Sequence, residues 1–96
     1  MQAQKYTHVG CVAFGAFLIS WRVVRPAPEQ LKLIGAAIRD YRRQAGLTQE
    51  RLAEKADLHP VYIGKVERGE QWISLHALLR VAEALGVPAG DILRDV

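Results

Sequence analysis

One face of a short predicted helix near the middle of the 96-residue chain carries the side chains best suited to contact a polyanion. Val61, Lys65 and Arg68 recur at steps of four and three residues, so an α-helix brings them to one side, where Gly64 leaves a small gap. Two cations beside a methyl-bearing side chain suit a DNA major groove, where lysine and arginine donate to guanine and an apolar group meets a thymine methyl. The opposite, apolar side is expected to be buried and consists of Tyr62, Ile63 and Val66.

A tight turn is needed to present this helix outward. Thr48 can cap a short preceding helix over residues 49–56. Pro60 suits the first position of the helix that carries Val61 and Lys65, and Gly69 can end that helix in a left-handed conformation. Because the turn between the two helices is limited to residues 57–59, their axes must cross steeply. The sequence therefore predicts a helix-turn-helix unit.

Amphipathic helices are predicted on both sides of this unit. The first begins at Gln30 and stops at Gly46, whereas the fourth runs from a cap at Ser74 to Gly86, and Pro88 opens a last short turn. Together these elements predict an all-α, five-helix domain. The residues expected to face inward on the first, second and fourth helices are Ile34, Ile38, Tyr41, Ala45, Leu52, Ala53, Ala56, Leu75, Leu78, Ala82 and Leu85.

The distribution of charge favours a polyanion partner over an enzyme function. The formal net charge is +3, and residues 31–69 hold eight Lys/Arg against five Asp/Glu, whereas residues 70–96 hold two against four. The chain has no phosphate-cradling glycine loop, no recognisable nucleophile–base pair and no carboxylates at metal spacing, so we expect neither catalysis nor a cofactor. Cys11 is the only cysteine, which rules out an intrachain disulfide and fits a reducing, cytoplasmic compartment.

Residues 1–28 differ in composition from residues 29–96, and Pro26 and Pro28 mark the boundary. Residues 9–21 carry no charge, yet they are too few for a membrane span, which needs about 20 apolar residues. They are also not followed by the small-residue cleavage site of a signal peptide. We expect an arm of uncertain structure that packs on the domain or on a second subunit. The alternative is upstream sequence included by a wrong start site.

Several segments of the domain resemble the Cro-type helix-turn-helix proteins, also called the XRE family. The segments are GLTQERLA at 46–53, LHPVYIGKVERG at 58–69, ISL at 73–75 and ALGVP at 84–88, and the resemblance spans about residues 31–94. It implies the lambda-repressor-like fold and a transcription regulator that binds double-stranded DNA as a homodimer. Within the family, the segments are similar to restriction-modification controller proteins, phage repressors and autoregulating antitoxins.

The resemblance also implies roles for single residues. A salt bridge between the first and third helices is implied for Arg42 and Glu67. The residues implied to lie at the phosphate backbone are Gln49, Arg68, Gln71 and Ser74. Thr48, beside Gln49, is also assigned to the DNA-binding surface. The residues implied to face base edges in the major groove are His59, Pro60, Val61 and Lys65.

The chain departs from the family at two positions that bear on DNA contact. His59 stands where the family often has Ser or Thr, so the cap of the third helix is expected to be weaker and sensitive to pH. Trp72 occupies a loop position that is usually polar in the family. It is expected to cover the loop or to lie against the sugar-phosphate backbone.

The sequence does not determine which surface forms the dimer. We expect Ile92 and Leu93 on the last helix to take part, with the N-terminal arm as a possible contributor. An alternative function is a protein-interaction module or antitoxin whose residues 9–21 bind a partner protein such as a toxin. Such a module has no need for the Lys65 and Arg68 stripe, and this distinguishes the two hypotheses.

Overall fold

The computed structural model describes residues 25–96, and these residues form five α-helices and no strand. The helices are α1 (Ala27–Gln44), α2 (Gln49–Ala56), α3 (Pro60–Glu67), α4 (Leu75–Leu85) and α5 (Ala89–Ile92). The predicted all-α, five-helix domain is confirmed for this part of the chain. The expectations for residues 9–21 fall outside the described residues. Within residues 25–96, no helix combines the length and the apolar character needed to cross a membrane.

Polar side chains start two of the helices where the sequence predicts. Thr48 Oγ1 accepts a hydrogen bond from the Arg51 N–H at 3.1 Å and caps α2. Ser74 Oγ accepts from the Ala77 N–H at 3.0 Å and caps α4. Each bond gives an acceptor to one of the first N–H groups of a helix, which have no partner within the helix itself. These starts are therefore set by local chemistry.

The start of α1 differs from the prediction. The helix begins at Ala27 instead of Gln30, with Pro26 as its N-cap and Pro28 in its first turn. A proline in the first turn gives up an N–H that has no helical acceptor, and its φ already suits a helix. The two prolines therefore initiate α1, and the helix starts inside the segment that was assigned to the arm.

Left-handed residues end the helices at the predicted positions. Gly46, Gly69 and Gly86 have φ angles of 72°, 73° and 74° after α1, α3 and α4. Asp57, with φ of 58° after α2, is the only non-glycine residue with positive φ among residues 25–96. A short polar side chain tolerates this conformation better than most others.

The core lies where the apolar faces of the helices meet. Its central side chains, none more than 1% exposed, are Ile38, Leu52, Ile63, Val81 and Ile92. The helix α2 packs on α3 and α4, α1 packs on α3, and α5 contacts both α4 and α1. Burying each such side chain contributes about 1.5–3 kcal/mol. The inward side of α3 is thereby packed against α1 and α2, while its opposite side stays at the surface.

Two residues predicted to face inward are exposed. Leu75, in the first turn of α4, is 70% exposed, because the buried face of that helix is centred on other residues. Ala45 is also exposed, since it forms the C-cap beyond the last turn of α1. The buried residues of α4 are Ala77, Leu78, Val81 and Ala82.

Candidate nucleic-acid interface

The outward side of α3 presents the stripe that the sequence predicts. Lys65 and Arg68 are exposed, and the Val61 side chain is 57% exposed. On the inward side Ile63 and Val66 are buried in the core. The surface of α3 therefore offers two cations and a methyl-bearing side chain on a helix held in place from behind.

Gly64 is not the open gap that the sequence suggests. It is buried, because the ends of the Gln49 and Arg68 side chains lie over it. A Cβ at this position would be 3.2 Å from Arg68 Nη1 and 3.5 Å from Gln49 Oε1. The absence of a side chain at Gly64 thus gives the Gln49 side chain room to cross from α2 onto α3.

The imidazole of His59 caps α3. Its Nδ1 accepts a hydrogen bond from the Val61 N–H at 3.1 Å, and Pro60 follows at the first helical position. Because Nδ1 accepts, the neutral ring carries its proton on Nε2 and retains that donor. His59 is exposed, so this second nitrogen can face a ligand in front of α3. Pro60 itself is half-buried and has no donor to offer.

The loop between α3 and α4 is tied to α3 by a tyrosine. Tyr62 Oη accepts from the Ser74 N–H at 3.0 Å and lies 3.5 Å from the Trp72 carbonyl oxygen. Gln71 and Ser74, both implied to contact phosphate, are exposed on this loop. Trp72 is 50% exposed on this loop, which leaves part of it accessible. The loop is thus held close to the striped helix.

Arg42 and Glu67 come together as the resemblance implies. Arg42 Nε donates to Glu67 Oε2 at 2.7 Å, and Nη2 donates to Oε1 at 3.0 Å. The third nitrogen of Arg42, Nη1, donates to the Leu47 carbonyl oxygen at 2.9 Å. The Glu67 side chain is fully buried. The hydrogen bond to this carboxylate raises the pKa of Arg42.

Two further side chains, which were not predicted from the sequence, donate hydrogen bonds to Glu67. Gln49 Nε2 donates to Glu67 Oε1 at 2.9 Å. Arg39 Nη2 donates to the Glu67 carbonyl oxygen at 3.2 Å, and its Nε lies 3.8 Å from Oε1. Gln49, which the resemblance implies to contact a DNA phosphate, is therefore also part of the polar network around the buried Glu67. No spacing rule in the sequence relates these groups, since they meet only where α1, α2 and α3 cross.

Arg68 has a carboxylate partner in the isolated protein. Its Nε donates to Glu70 Oε2 at 2.9 Å and its Nη2 to Oε1 at 3.2 Å, and both side chains are about half-exposed. The hydrogen bond raises the pKa of Arg68 and lowers the pKa of Glu70. The Arg68–Glu70 pair was not predicted from the sequence, although its two-residue spacing across the Gly69 turn could have suggested it. A phosphate contact by Arg68 has to compete with Glu70.

The last helix requires a correction. Ile92, expected at a dimer surface, is 1% exposed and packs in the core of its own subunit. Its side chain is therefore not available to a second copy. Leu93, the other residue expected there, is 39% exposed at the end of α5.

Among residues 25–96, no group of three or more His, Cys, Asp and Glu side chains could hold a metal ion.

Comparison with known proteins identifies similar regulators. The helix-turn-helix family model HTH_3 matches residues 38–92. The chain is 39% identical over 62 residues to the control protein C.BamHI of Bacillus amyloliquefaciens, covering 64% of this chain and 76% of the relative. It is 39% identical over 62 residues to the control protein C.SmaI of Serratia marcescens, covering 65% and 74%.

A solved structure supports the same relationship. The restriction-modification controller protein C.AhdI from Aeromonas hydrophila superposes with a TM-score of 0.66 at 36% identity. The similarity covers 67% of this chain and 97% of the controller protein. The five-helix arrangement described above is therefore shared with a protein of known structure.

Proposed function

This chain belongs to the HTH_3 helix-turn-helix family and is a DNA-binding transcription regulator, and we propose that it occupies a pseudo-palindromic operator as a homodimer. The observation that carries the proposal is the exposed Val61, Lys65 and Arg68 stripe on a helix whose back is buried. Lys65 reaches a guanine edge and Val61 a thymine methyl in the major groove, so that α3 reads roughly four base pairs per half-site.

Phosphate contacts fix the register of α3. Gln49 lies at the first position of α2, where the first N–H groups of the helix and its positive dipole end favour an anion. Thr48 caps the same helix end. On the other side of α3, Arg68, Gln71 and Ser74 reach the second flank of phosphates, and Arg68 exchanges Glu70 for phosphate. These contacts supply affinity that depends weakly on base sequence.

A dimer follows from the symmetry of such operators. Two copies related by a two-fold axis place their α3 helices about 34 Å apart, one turn of DNA. Leu93 is the exposed apolar residue through which α5 contributes to the interface. A controller-type role in the bacterial cytoplasm is the form of regulation that the relatives suggest, since two of them are control proteins and the chain covers 76% and 74% of their lengths.

Selection of bound duplexes from a random-sequence pool tests the proposal. We expect recovery of a two-fold symmetric site that the purified protein binds in fluorescence anisotropy with a steep inverse dependence on salt. Folded protein that enriches no sequence, or that binds every duplex equally, overturns sequence-specific regulation. Enrichment of a single asymmetric half-site overturns the dimer alone.

A further inference from the structure

Glu67 constrains the side-chain amide of Gln49. Its Oε1 accepts from Gln49 Nε2 at 2.9 Å and from Arg42 Nη2 at 3.0 Å, and the carboxylate is fully buried. A carboxylate can only accept hydrogen bonds, so Gln49 must turn its NH₂ group toward Glu67 and its carbonyl oxygen away. The orientation of this amide is therefore decided before any ligand arrives.

We propose that Glu67 is a positioning residue that fixes Gln49 in the orientation in which it can donate to a DNA phosphate; the inference rests on the proposed function. An amide nitrogen carries two N–H donors, and Glu67 uses one of them. The second N–H remains for the phosphate. An amide without this contact is free to rotate, so the phosphate must then fix its orientation at a cost in side-chain entropy.

The charge of Glu67 does not oppose the phosphate, because two guanidinium groups offset it. Arg42 binds both carboxylate oxygens, and Arg39 Nε lies 3.8 Å from Oε1. The three groups together carry a net charge of +1, the sum of two cations and one anion. The buried cluster behind Gln49 thus orients the amide and still favours an anion at the surface.

Gly64 provides the space for this arrangement. The amide of Gln49 lies over the helix backbone at Gly64, where a Cβ would already be in contact with Gln49 Oε1 at 3.5 Å. The Arg68 side chain also lies over Gly64, so Gln49 and Arg68, the two side chains proposed to contact phosphate, both pack on this glycine. A longer side chain there would displace both.

A double-mutant cycle on DNA affinity tests the proposal with wild type, Gln49→Ala, Glu67→Gln and the double variant. The probe is a duplex recovered by selection with the wild-type protein. Glutamine offers one acceptor oxygen, in place of two, to the three N–H groups of Arg42 and Gln49 that point at this side chain. We therefore expect Glu67→Gln to weaken binding about two- to tenfold, the range of one hydrogen bond. In the Gln49→Ala background the same substitution should have almost no effect, because the amide it orients is gone.

The sign of the change separates positioning from charge. Removing a negative charge strengthens binding to a polyanion if electrostatics alone operates. The matched control is Glu54→Gln, which neutralises an exposed glutamate on α2 and should leave affinity unchanged or raise it. Stronger binding by Glu67→Gln, or an equal loss with and without Gln49, overturns the inference while the proposed function stands. A wild-type protein that binds no selected duplex overturns both.

A measurement on the wild-type protein decides the case if Glu67→Gln does not fold. In free ¹⁵N-labelled protein, the side-chain amide of Gln49 should show high heteronuclear NOE values, as a group held by a buried acceptor does. The exposed Gln71 provides the internal reference for a mobile amide. A Gln49 amide as mobile as that of Gln71 overturns the inference.

Discussion

Arg42 and Glu67, separated by 25 residues in the chain, join α1 to α3 through hydrogen bonds of 2.7 and 3.0 Å. The Glu67 carboxylate is buried, and it is also the acceptor for Gln49 at the start of α2. One buried group therefore connects the crossing of three helices with a side chain at the proposed DNA interface. Changes to it are expected to affect both the free energy of unfolding and DNA affinity.

Arg42→Ala should lower the free energy of unfolding by about 3–5 kcal/mol, because it leaves the buried Glu67 carboxylate without its main partner. Urea denaturation followed by circular dichroism measures this loss. The control is Arg51→Ala, which breaks the exposed Arg51–Glu54 pair, with side chains 68% and 71% exposed. That change should cost less than about 1 kcal/mol. Equal losses in the two variants would contradict a structural role for the buried pair.

Lys65→Ala should weaken binding to the selected site by about 1–3 kcal/mol, because it removes the side chain proposed to contact a base in the major groove. Binding to an unrelated duplex should change much less, and competition anisotropy with the two duplexes measures the difference. Lys55→Ala serves as the control, since Lys55 is exposed near the end of α2 and lines a surface pocket with Arg80 of α4. A loss of the same size for both lysines would indicate a general charge effect.

Glu70→Gln should strengthen DNA binding about twofold or more, because Arg68 no longer has a carboxylate that competes with phosphate. Glu83→Gln on α4 is the control for the change in net charge. The effect should persist through neutral and mildly acidic pH, since the hydrogen bond from Arg68 lowers the pKa of Glu70 and keeps it charged. As pH falls through that lowered pKa, the wild-type pair is lost and the two proteins should converge. A variant that binds more weakly than wild type would mean that Glu70 instead holds Arg68 in place for DNA.

Gly35→Ala should destabilise the fold by about 3 kcal/mol or more, because the added Cβ would overlap backbone carbonyl oxygens that cannot move independently. These are the carbonyl oxygens of Val66 and Glu67, at the crossing of α1 and α3. Gly90→Ala is the matched control, since a Cβ there would meet nothing within 4 Å. That change should be neutral or gain up to about 1 kcal/mol from helix propensity. Thermal and urea unfolding compare the two, and a stable Gly35→Ala protein would contradict the close approach of α1 and α3.

Substitutions at the two neighbouring residues of the last helix should have different effects. Ile92→Ala should lower the free energy of unfolding by about 2–5 kcal/mol, because it opens a cavity in the core. Leu93→Ser should leave stability within about 0.5 kcal/mol and reduce the dimer fraction in analytical ultracentrifugation. A Leu93→Ser protein with an unchanged dimer fraction would place the interface elsewhere on the subunit.

Where the helices begin and end was largely determined by the sequence itself. Thr48 and Ser74 cap α2 and α4 through bonds to N–H groups three residues on, and Gly46 and Gly86 adopt the left-handed conformation that stops α1 and α4. These signals are readable because donor, acceptor and φ preference all lie within a few residues of one another. The outward position of Val61, Lys65 and Arg68 follows from helical periodicity and was predicted for the same reason.

The tertiary structure decided which apolar residues reach the core and which polar groups meet. Leu75 is exposed although periodicity places it on an apolar stripe, and Ile92 is buried although it lies on the last, short helix. Periodicity gives the direction of a face but not the position of the element that covers it. The contact of Gln49 with Glu67 depends on how α2 and α3 cross, and the burial of Gly64 depends on the side chains that this crossing lays over it. Such relations involve residues distant in the chain, so only the assembled packing of the helices could fix them.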